Sequence, residues 1–317
     1  MARFDTTDVP AELRFAAWHE LTSAALISTA VTAVSVEDFD ASVEVVDLGR
    51  VQLSKISYPP LRAARSTRHI RRSNPDLLYL TVPARGVLAV SHADRESTVG
   101  AGEFTMIDTS LPGVVSNREP VEQIIIQVPR AEIPMRPTAV LPLLARAFPV
   151  GDGLGSLLLT AARHIIGTGD HYAPADGTRL ASVLIDLVAS LLAETVREVT
   201  AARDAQQRLL QHRIFDFIEK HLTDPALSPS VVAAAHNISL RYLHLLFQGQ
   251  ALTAAAWIRQ RRLDRCRRDL RNPILARQSV ATVGARWGFT DATVFSRTFK
   301  QTFGMPPGEY RQLHVQC

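Results

Sequence analysis

Val231-Val232-Ala233-Ala234-Ala235-His236-Asn237-Ile238-Ser239 is the stretch that decides the fold, and Leu240 to Gln248 complete its pattern. The small residue Ala233 lets two helices cross closely, and Asn237, four positions later, tolerates the left-handed backbone of a tight turn. Ile238 fills the turn, and the Ser239 hydroxyl is suited to cap the next helix. The stretch therefore predicts a helix-turn-helix whose second helix starts near Leu240.

The same pattern returns about fifty residues later as Val280-Ala281-Thr282-Val283-Gly284-Ala285-Arg286-Trp287-Gly288-Phe289-Thr290, followed by Asp291 to Lys300. Gly284 and Gly288 take the small and turn positions, Phe289 fills the turn, and Thr290 is the hydroxyl expected to cap. A helix-turn-helix presents its second helix to the DNA major groove. Two such units in succession predict a protein that reads two neighbouring grooves.

Charge is distributed unevenly along the 317 residues. Residues 205–317 contain 16 Lys and Arg against 7 Asp and Glu, a net charge of +9, whereas the preceding residues contain 19 against 24, a net charge of −5. A basic C-terminal region after an acidic body favours a polyanionic partner for that region alone. The length and the hydrophobic content of 46% suffice for more than one globular domain.

Several classes of protein are disfavoured by composition. Cys266 and Cys317 are the only cysteines in the sequence, which favours a reducing cytoplasm over a disulfide framework. The start of the chain lacks the apolar core of a signal peptide. The most apolar stretch, Leu180 to Val196, contains Asp186 and Glu194, so no membrane partner is expected.

The N-terminal region changes its hydrophobic period near residue 39. Residues 11–35 have helical spacing, and short alternating segments follow, separated by Pro- and Gly-rich turns. Strands are predicted at Leu77–Val82, Val87–Ser91, Arg95–Val99, Glu103–Ile107 and Gln123–Val128. Many short strands at close spacing predict an antiparallel sandwich or small barrel.

The region after Pro134 is predicted to be helical again, at Leu141–Phe148, Leu154–Ile166 and Thr178–Val199. The third helix carries a long apolar face that fits either a core within the monomer or a dimer seam: Leu180, Val183, Leu184, Leu187, Leu191 and Leu192. Residues 199–207 lose this stripe and are expected to link the domains. Helices at Leu209–Leu222 and at Thr253–Leu270 are expected next, the latter rich in arginine. Its eighteen residues span about 27 Å, close to the roughly 34 Å between successive major grooves on one face of DNA.

Motifs matching a known family run in order along the C-terminal region: Ser239-Leu240-Arg241-Tyr242-Leu243-His244-Leu245-Leu246-Phe247, Arg262-Leu263-Asp264-Arg265-Cys266, Gly288-Phe289-Thr290-Asp291, Phe295-Ser296-Arg297-Thr298-Phe299-Lys300, Phe303-Gly304-Met305-Pro306-Pro307 and Tyr310-Arg311. With these motifs, residues from about 209 to 311 resemble the DNA-binding domain of AraC/XylS-type transcription regulators. Asn237 and Gly284 depart from the usual Gly and Ala of that family, and Gly284 is expected to loosen its helix by up to about 1 kcal/mol.

The N-terminal region has a looser resemblance to the cupin-like sensor domain found in a subset of these regulators. It is carried by Arg14-Phe15-Ala16-Ala17-Trp18, Gly100-Ala101-Gly102-Glu103-Phe104-Thr105-Met106-Ile107-Asp108 and Gln127-Val128-Pro129-Arg130. The resemblance implies an α+β protein with an N-terminal cupin-like antiparallel β-barrel flanked by helices. An all-α domain of two helix-turn-helix units joined by a long helix follows. The expected divisions are 1–135 for the sensor, 136–204 for a helical and linking segment, and 205–317 for the DNA-binding domain.

The recognition helices carry the expected base contacts, because the first turns of such a helix face the base edges. These are Arg241, His244, Leu245 and Gln248 in the first unit and Ala292, Thr293, Ser296 and Arg297 in the second. Arg241 is suited to guanine O6 and N7, with phosphate as its competing partner, and Thr293 is suited to a thymine methyl group. Val294, Phe295 and Phe299 are expected to pack inward. Phosphate contacts are expected from Ser239, Arg259, Arg286, Lys300 and Arg311.

The sensor region is less informative about its ligand. Tyr58, Tyr79, Thr81 and Phe104 are the expected lining of an effector pocket, and core packing explains them equally well. A basic cluster between two strands fits either a solvated loop or a site for an anionic effector or the other domain: Arg62, Arg65, Arg68, His69, Arg71 and Arg72.

Enzymatic readings have little support. No His-x-His pair occurs, and His92 stands alone near the relevant turn, so no metal or other cofactor is expected. Cys266 is either a reactive thiol or, on the apolar side of its helix, an inert buried one.

The sequence predicts a cytoplasmic transcription regulator, by resemblance an activator, with double-stranded DNA, RNA polymerase and a small-molecule effector as partners and a homodimer as a possible assembly. The alternative is a DNA-binding regulator whose N-terminal domain only dimerises or binds a protein.

Overall fold

The computed structural model describes residues 1–249 and 251–315, and the chain divides into two compact units, Met1–Thr200 and Ala201 onward. The first unit combines antiparallel sheets with helices, and the second is built of helices. The predicted α+β class is therefore confirmed. A single helix, Pro174–His221, contributes residues to both units.

Two antiparallel sheets form the first unit. The larger sheet has the order β1-β3-β4-β11-β6-β9-β12 and the smaller one the order β2-β5-β10-β7-β8. The strands are β1 (Ala2–Asp5), β2 (Ala30–Ala33), β3 (Ser42–Asp47), β4 (Gln52–Tyr58), β5 (Leu61–Arg65), β6 (Leu77–Arg85), β7 (Leu88–His92), β8 (Arg95–Val99), β9 (Glu103–Asp108), β10 (Gly113–Ser116), β11 (Val121–Pro129) and β12 (Phe148–Pro149).

Alternation along the central strands divides the unit into two cores. On β6, Leu78, Leu80 and Val82 point to the core that the larger sheet shares with helices, whereas Tyr79 belongs to a second core. This second core lies between the two sheets and includes Val90 of the smaller sheet. Successive strand residues face opposite sides of a sheet, so one strand supplies both cores.

The helices of the first unit differ in length from the predicted ones. They are α1 (Arg14–Ala25), α2 (Thr67–Arg72), α3 (Pro137–Val140), α4 (Leu154–Gly167) and α5 (Pro174–His221). The helix expected over residues 11–35 ends at Ala25, because Ala30–Ala33 pairs with β5. The helix expected at Leu141–Phe148 is wrong. Leu141–Leu143 forms one 3₁₀ turn, and Phe148 pairs with Phe104 of β9.

The long helix α5 contains two of the predicted helices. Thr178–Val199 and Leu209–Leu222 both fall within it, and so do residues 199–207, which were expected to link the domains. On its apolar face, Leu184, Leu191 and Leu192 are buried in the first core, whereas Val183 is exposed. Most of this apolar face is buried within its own unit. This favours the interpretation as monomer core over the interpretation as a dimer seam.

The basic cluster of the sensor region is regular structure. Arg62 and Arg65 lie on β5, and residues 68–72 lie on α2. Arg65 is buried, so the expectation of a solvated loop is wrong for this residue. Alternation on β5 explains the difference, because Leu61 and Arg65 are its two buried residues and Arg62 is exposed.

In the described part of the second unit, the end of α5 is followed by six α-helices. These are α6 (Pro229–Ala235), α7 (Leu240–Phe247), α8 (Ala254–Leu270), α9 (Val280–Arg286), α10 (Ala292–Phe303) and α11 (Pro307–Val315). The expected pair of helix-turn-helix units joined by a long helix is present. Each pair packs around its own core, one containing Leu243 and the other containing Phe295.

Candidate nucleic-acid interface and ligand cavity

The first helix-turn-helix is built by the residues that its sequence pattern singles out. Ser228 caps α6, and Asn237 adopts a left-handed backbone with φ of +52°. The Ser239 hydroxyl accepts a hydrogen bond from the Tyr242 N–H at 3.1 Å and so caps α7. Ile238 packs against the core of this unit. The capping bond satisfies one of the N–H groups that a helix start leaves free.

The second unit repeats this construction with one difference. Gly288 makes the left-handed turn with φ of +79°. The cap of α10 is Asp291 and not Thr290, because the Asp291 carboxylate accepts from the N–H groups of Val294 at 2.9 Å and Thr293 at 2.7 Å. These two hydrogen bonds lower the pKa of Asp291. A carboxylate at a helix start is also favoured by the helix dipole.

Gly284 has a packing reason that the sequence alone does not give. A Cβ atom at this position would lie 2.8 Å from the Phe295 ring. That distance is far shorter than ordinary contact, so α9 and α10 approach as closely as they do because residue 284 has no side chain. The glycine fits this crossing, whereas alanine would force the buried Phe295 ring to move.

The two recognition helices expose the same set of positions. Counted from the cap, the first, second, fifth, sixth and ninth residues form the outward face of each helix. These are Leu240, Arg241, His244, Leu245 and Gln248 in the first unit and Ala292, Thr293, Ser296, Arg297 and Lys300 in the second. All are exposed except Ser296, which is half-buried. The side chains expected to contact bases therefore share one face in each unit.

The third residue of each recognition helix also reaches the surface. Val294, expected to pack inward, is 43% exposed, and Tyr242 at the equivalent place is 36% exposed. Phe295 and Phe299 are buried as expected. Leu245 is more than half exposed, at 53%. The outward face of α7 is accordingly more apolar than that of α10.

The arginine-rich helix α8 uses several of its cations inside the protein. Arg261 and Arg265 both donate to the Glu219 carboxylate, Arg265 at 2.7 Å. Burial alone raises the pKa of Glu219, but the hydrogen bonds from the two arginines outweigh it and lower that pKa. Arg267 lies 4.7 Å from the centre of the Phe303 ring. Only part of the arginine run is left to meet a phosphate backbone.

The five expected phosphate contacts differ in how far they are already engaged. Arg259 and Lys300 are exposed. Arg286 pairs with Asp269 at 3.4 Å and donates to the Gln278 side chain at 2.8 Å. Arg311 donates to the backbone carbonyl of Gln278. Ser239 is the cap of α7, and its hydroxyl is already engaged with the Tyr242 N–H. Its backbone N–H lies at the start of the helix.

Two residues connect the helix-turn-helix units. Trp287 packs against the cores of both units, and its indole Nε1 donates to the buried Asp269 carboxylate at 2.8 Å. Arg262 donates from Nε to the Leu222 carbonyl at 3.0 Å, and its guanidinium lies against the turn glycine of the second unit. With the seventeen residues of α8, about 26 Å of helix, these contacts hold the units in one arrangement.

A cavity of about 130 Å³ lies in the first unit, between the two sheets and α1. Tyr58, Tyr79 and Thr81, three of the four residues expected to line an effector pocket, lie in its wall. Phe104 does not line it and lies in the other core, 5.5 Å from the Phe148 ring. The reason is strand alternation, because Phe104 and Met106 share one face of β9 whereas Ile107 faces the cavity.

The cavity is also lined by four polar residues that are not in the expected pocket set, namely Trp18, Arg65, His92 and Gln123. His92 donates from Nδ1 to the Pro112 carbonyl at 3.0 Å and accepts the Asp108 N–H at Nε2, also at 3.0 Å. Burial lowers the pKa of His92, so it is neutral with both nitrogens occupied. One signal was available for Gln123, a polar residue that opens the apolar run Ile124-Ile125-Ile126.

Cys266 has the properties of an inert cysteine. It is fully buried in the core of the second helix-turn-helix unit, and its thiol lies 3.8 Å from the Val283 carbonyl. Burial raises the pKa of the Cys266 thiol to about 12. Since the thiolate is the reactive form, this site does not favour thiol chemistry.

Among residues 1–249 and 251–315, no group of histidine, cysteine, aspartate or glutamate side chains is arranged to hold a metal ion. In the same residues, every helix is too short or too polar to cross a membrane.

Comparisons with known proteins match both units. Residues 18–193 match the family model of the AraC-binding-like domain, and residues 232–313 match that of a helix-turn-helix domain. The transcriptional activator NphR of Rhodococcus sp. is 30% identical over 283 residues, which are 88% of this chain and 82% of the relative. An uncharacterized protein in the nit 5' region of Bacillus sp. (strain OxB-1) is 27% identical over 75% of this chain and 94% of its own length.

Among solved structures, the AraC-like transcriptional activator CuxR superposes with a TM-score of 0.53 at 19% identity, covering 89% of this chain and 98% of that one. This likeness shows a shared fold. The two family models in their order along the chain, together with the relative at 30% identity, show the family. The chain belongs to the AraC-type family of helix-turn-helix transcription regulators.

Proposed function

We propose that this protein activates transcription from a promoter site that it reads through two successive major grooves, under the control of a small molecule bound in the cavity. One observation carries the proposal: α7 and α10 expose side chains at the same helix positions. Their two helix-turn-helix units are held together by α8, Trp287 and Arg262. The transcriptional activator NphR, the relative at 30% identity, supports activation over repression.

The recognition helices divide the work of reading bases. Arg241 is exposed on α7 and presents two donors suited to guanine O6 and N7. Leu245 beside it offers apolar contact to a thymine methyl group, and Thr293 offers the same on α10. His244, Gln248, Ala292, Ser296 and Arg297 complete the base-facing set. Base recognition by the first helix-turn-helix unit therefore depends more on apolar contact than base recognition by the second.

Phosphate contacts fall first to the exposed cations Arg259 and Lys300 and to the backbone at the start of α7. Arg286 and Arg311 already bond to protein partners in the free protein, and Arg311 does so through Nη1, while its Nε and Nη2 are buried without a partner among the described residues. We assign these two a supporting role, in which they orient the segment around Gln278.

The remaining partners follow from this function. A regulator of transcription acts where chromosomal DNA lies, which in a bacterium is the cytoplasm, and an activator meets RNA polymerase at the promoter. A homodimer has less support, since most of the apolar face of α5 is buried in its own unit. The cavity favours ligand control over an N-terminal unit that only binds a protein.

Replacing Arg241 with Ala is expected to weaken operator binding by about 1–3 kcal/mol and to relax the preference at one base pair, since a bidentate contact to guanine is lost. The measurement is a gel-shift titration against an operator selected from random DNA and against variants of each base pair. Arg259→Ala is the matched control. It should weaken every sequence equally and reduce the slope of log affinity against log salt by about 1. If Arg241→Ala gives this same uniform loss, Arg241 contacts phosphate.

A further inference from the structure

Three side chains that line the cavity carry a buried polar atom without a hydrogen-bond partner among the described residues: Trp18 Nε1, Tyr79 OH and Gln123 Oε1. Each of these residues is only 4% exposed. Buried polar groups in native proteins are nearly always paired, and leaving one unpaired is costly. Three such atoms around one cavity indicate that a bound molecule supplies their partners.

The three atoms define a hydrogen-bonding pattern. An indole N–H only donates, and an amide oxygen only accepts. Burial raises the pKa of Tyr79, so its hydroxyl stays protonated and can donate. The Gln123 amide nitrogen is already engaged with the Tyr58 hydroxyl at 2.8 Å, which leaves its oxygen free. A matching ligand accepts hydrogen bonds from Trp18 and Tyr79 and donates one to Gln123.

Arg65 and His92, the basic side chains that line the cavity, already form hydrogen bonds to the backbone. Arg65 donates to the carbonyls of Thr109 at 2.8 Å, Ser28 at 2.9 Å and Ser73 at 2.7 Å, one from each of its three nitrogens. His92 is neutral, with both ring nitrogens bonded to backbone. No lining residue is a carboxylate. A cation would meet the positive charge of Arg65, and a carboxylate has no hydrogen to donate to Gln123 Oε1. The unpaired atoms therefore favour an uncharged group that both accepts and donates.

The volume of the cavity suits a ligand body of about one ring. Its volume is about 130 Å³, and an apolar cavity of about 150 Å³ accommodates benzene. Apart from the groups above, the walls are mainly aliphatic and aromatic, with Ile56, Val90, Ile107 and Ile125 among them. Such walls favour an apolar body over a molecule with hydroxyls on every side.

We propose that the cavity binds an uncharged molecule the size of a single six-membered ring, bearing one polar group that accepts from Trp18 Nε1 and Tyr79 OH and donates to Gln123 Oε1. The proposal deepens the proposed function and rests on it only in making this molecule the effector. Trp18 and Gln123 thereby become ligand-positioning residues that the sequence did not reveal.

Isothermal titration calorimetry of the full chain at pH 7.5 tests the ligand class with benzamide and benzoate, which have the same shape and differ in charge. Benzamide is expected to bind at least tenfold more tightly than benzoate, and glucose is expected to give no binding heat. Benzyl alcohol and cyclohexanol extend the uncharged set. Benzoate binding as tightly as benzamide, or the absence of binding by all of benzamide, benzyl alcohol and cyclohexanol, overturns the proposal.

Tyr79→Phe tests the assigned contact. It should weaken benzamide binding roughly threefold to tenfold, the contribution of one hydrogen bond. The melting temperature of the unliganded variant should be unchanged or higher, because an unpaired buried hydroxyl is removed. Tyr172→Phe removes a hydroxyl that accepts from Thr168 at 3.1 Å elsewhere in the unit and should leave affinity unchanged. Unchanged affinity in Tyr79→Phe overturns the role of Tyr79.

Gel shifts on the same samples separate this proposal from the proposed function. Operator binding that persists in a protein with no affinity for the uncharged probes overturns only the ligand class. If the protein binds the probes but prefers no operator, the proposed ligand class is supported and the proposed function as a transcription regulator is contradicted.

Discussion

Replacing Trp287 with Phe is expected to lower the free energy of unfolding of the C-terminal unit by about 2–3 kcal/mol. The substitution removes the indole N–H that donates to Asp269 at 2.8 Å, and a buried carboxylate then loses a charge-assisted hydrogen bond worth about 1.5–3 kcal/mol. Because Trp287 packs against both helix-turn-helix cores, the smaller Phe side chain also reduces the packing between them. The measurement is scanning calorimetry of the full chain, following the transition that operator DNA raises in temperature.

Trp257→Phe is the matched control. Trp257 is also half-buried, but it packs against the core of the first helix-turn-helix unit alone, and its Nε1 is buried with no partner among the described residues. The same substitution there removes an unpaired donor and should cost less than about 1.5 kcal/mol. Equal losses in the two variants would mean that Trp287 is ordinary packing and does not connect the units.

Gly288→Ala is expected to destabilise the C-terminal unit by about 2–4 kcal/mol and to weaken binding to the full operator more than tenfold. Part of the cost is the left-handed backbone at φ of +79°, about 1–2 kcal/mol for a residue with a Cβ atom. The rest arises because the new Cβ would lie 2.8 Å from the Arg262 guanidinium. Arg262 must then leave the carbonyl groups of Leu222 and Asp224, and the two units lose a connection.

Gly304→Ala is the matched control that separates backbone strain from the displacement of Arg262. Gly304 has φ of +83° and no atom within 4 Å of an added Cβ, so alanine there bears only the backbone strain. Calorimetry and gel shifts on both variants give the difference. We expect Gly304→Ala to bind the operator nearly as tightly as the unchanged protein once both are folded. The coupling role of Arg262 is wrong if the two variants lose equal stability and equal affinity.

The helix-turn-helix units were the most predictable part of the molecule, because their determinants are local. Asn237 and Gly288 are where they are since a tight turn needs a left-handed residue, and that requirement can be read from a few neighbours. The cap of α10 was one residue off because Thr290 and Asp291 are both able to cap, and the choice depends on where the helix starts. Val294 was misplaced for a related reason, since a helix position at the edge of the core is either covered or exposed according to its neighbours.

The ligand cavity was only partly predictable. Alternation along β6 puts Tyr79 and Thr81 on one face. Which side chains of β9 face the cavity depends on the register of β9 with β6. Leu80 pairs with Met106, which puts Phe104 and Met106 on the helix-covered face and out of the cavity. Register is set by long-range pairing and not by the local pattern.

The arginines of α8 show the same limit. Their spacing predicts a basic helix, yet Arg261 finds Glu219 from 42 residues away, and Arg262 finds the carbonyl of Leu222 from 40. Such partners depend on how α5 and α8 pack within the unit. A basic stretch therefore predicts a nucleic-acid partner for the domain without showing which cations face it.

The most direct test of the central claim is a hydroxyl-radical footprint on an operator selected from random DNA, repeated after inserting five base pairs between the two half-sites. Two units held in one arrangement predict two protected patches about one helical turn, 10–10.5 base pairs, apart on the same face of the duplex. The insertion should abolish one patch and reduce affinity by at least tenfold. Protection of both patches with unchanged affinity after the insertion would contradict a fixed pair of reading helices.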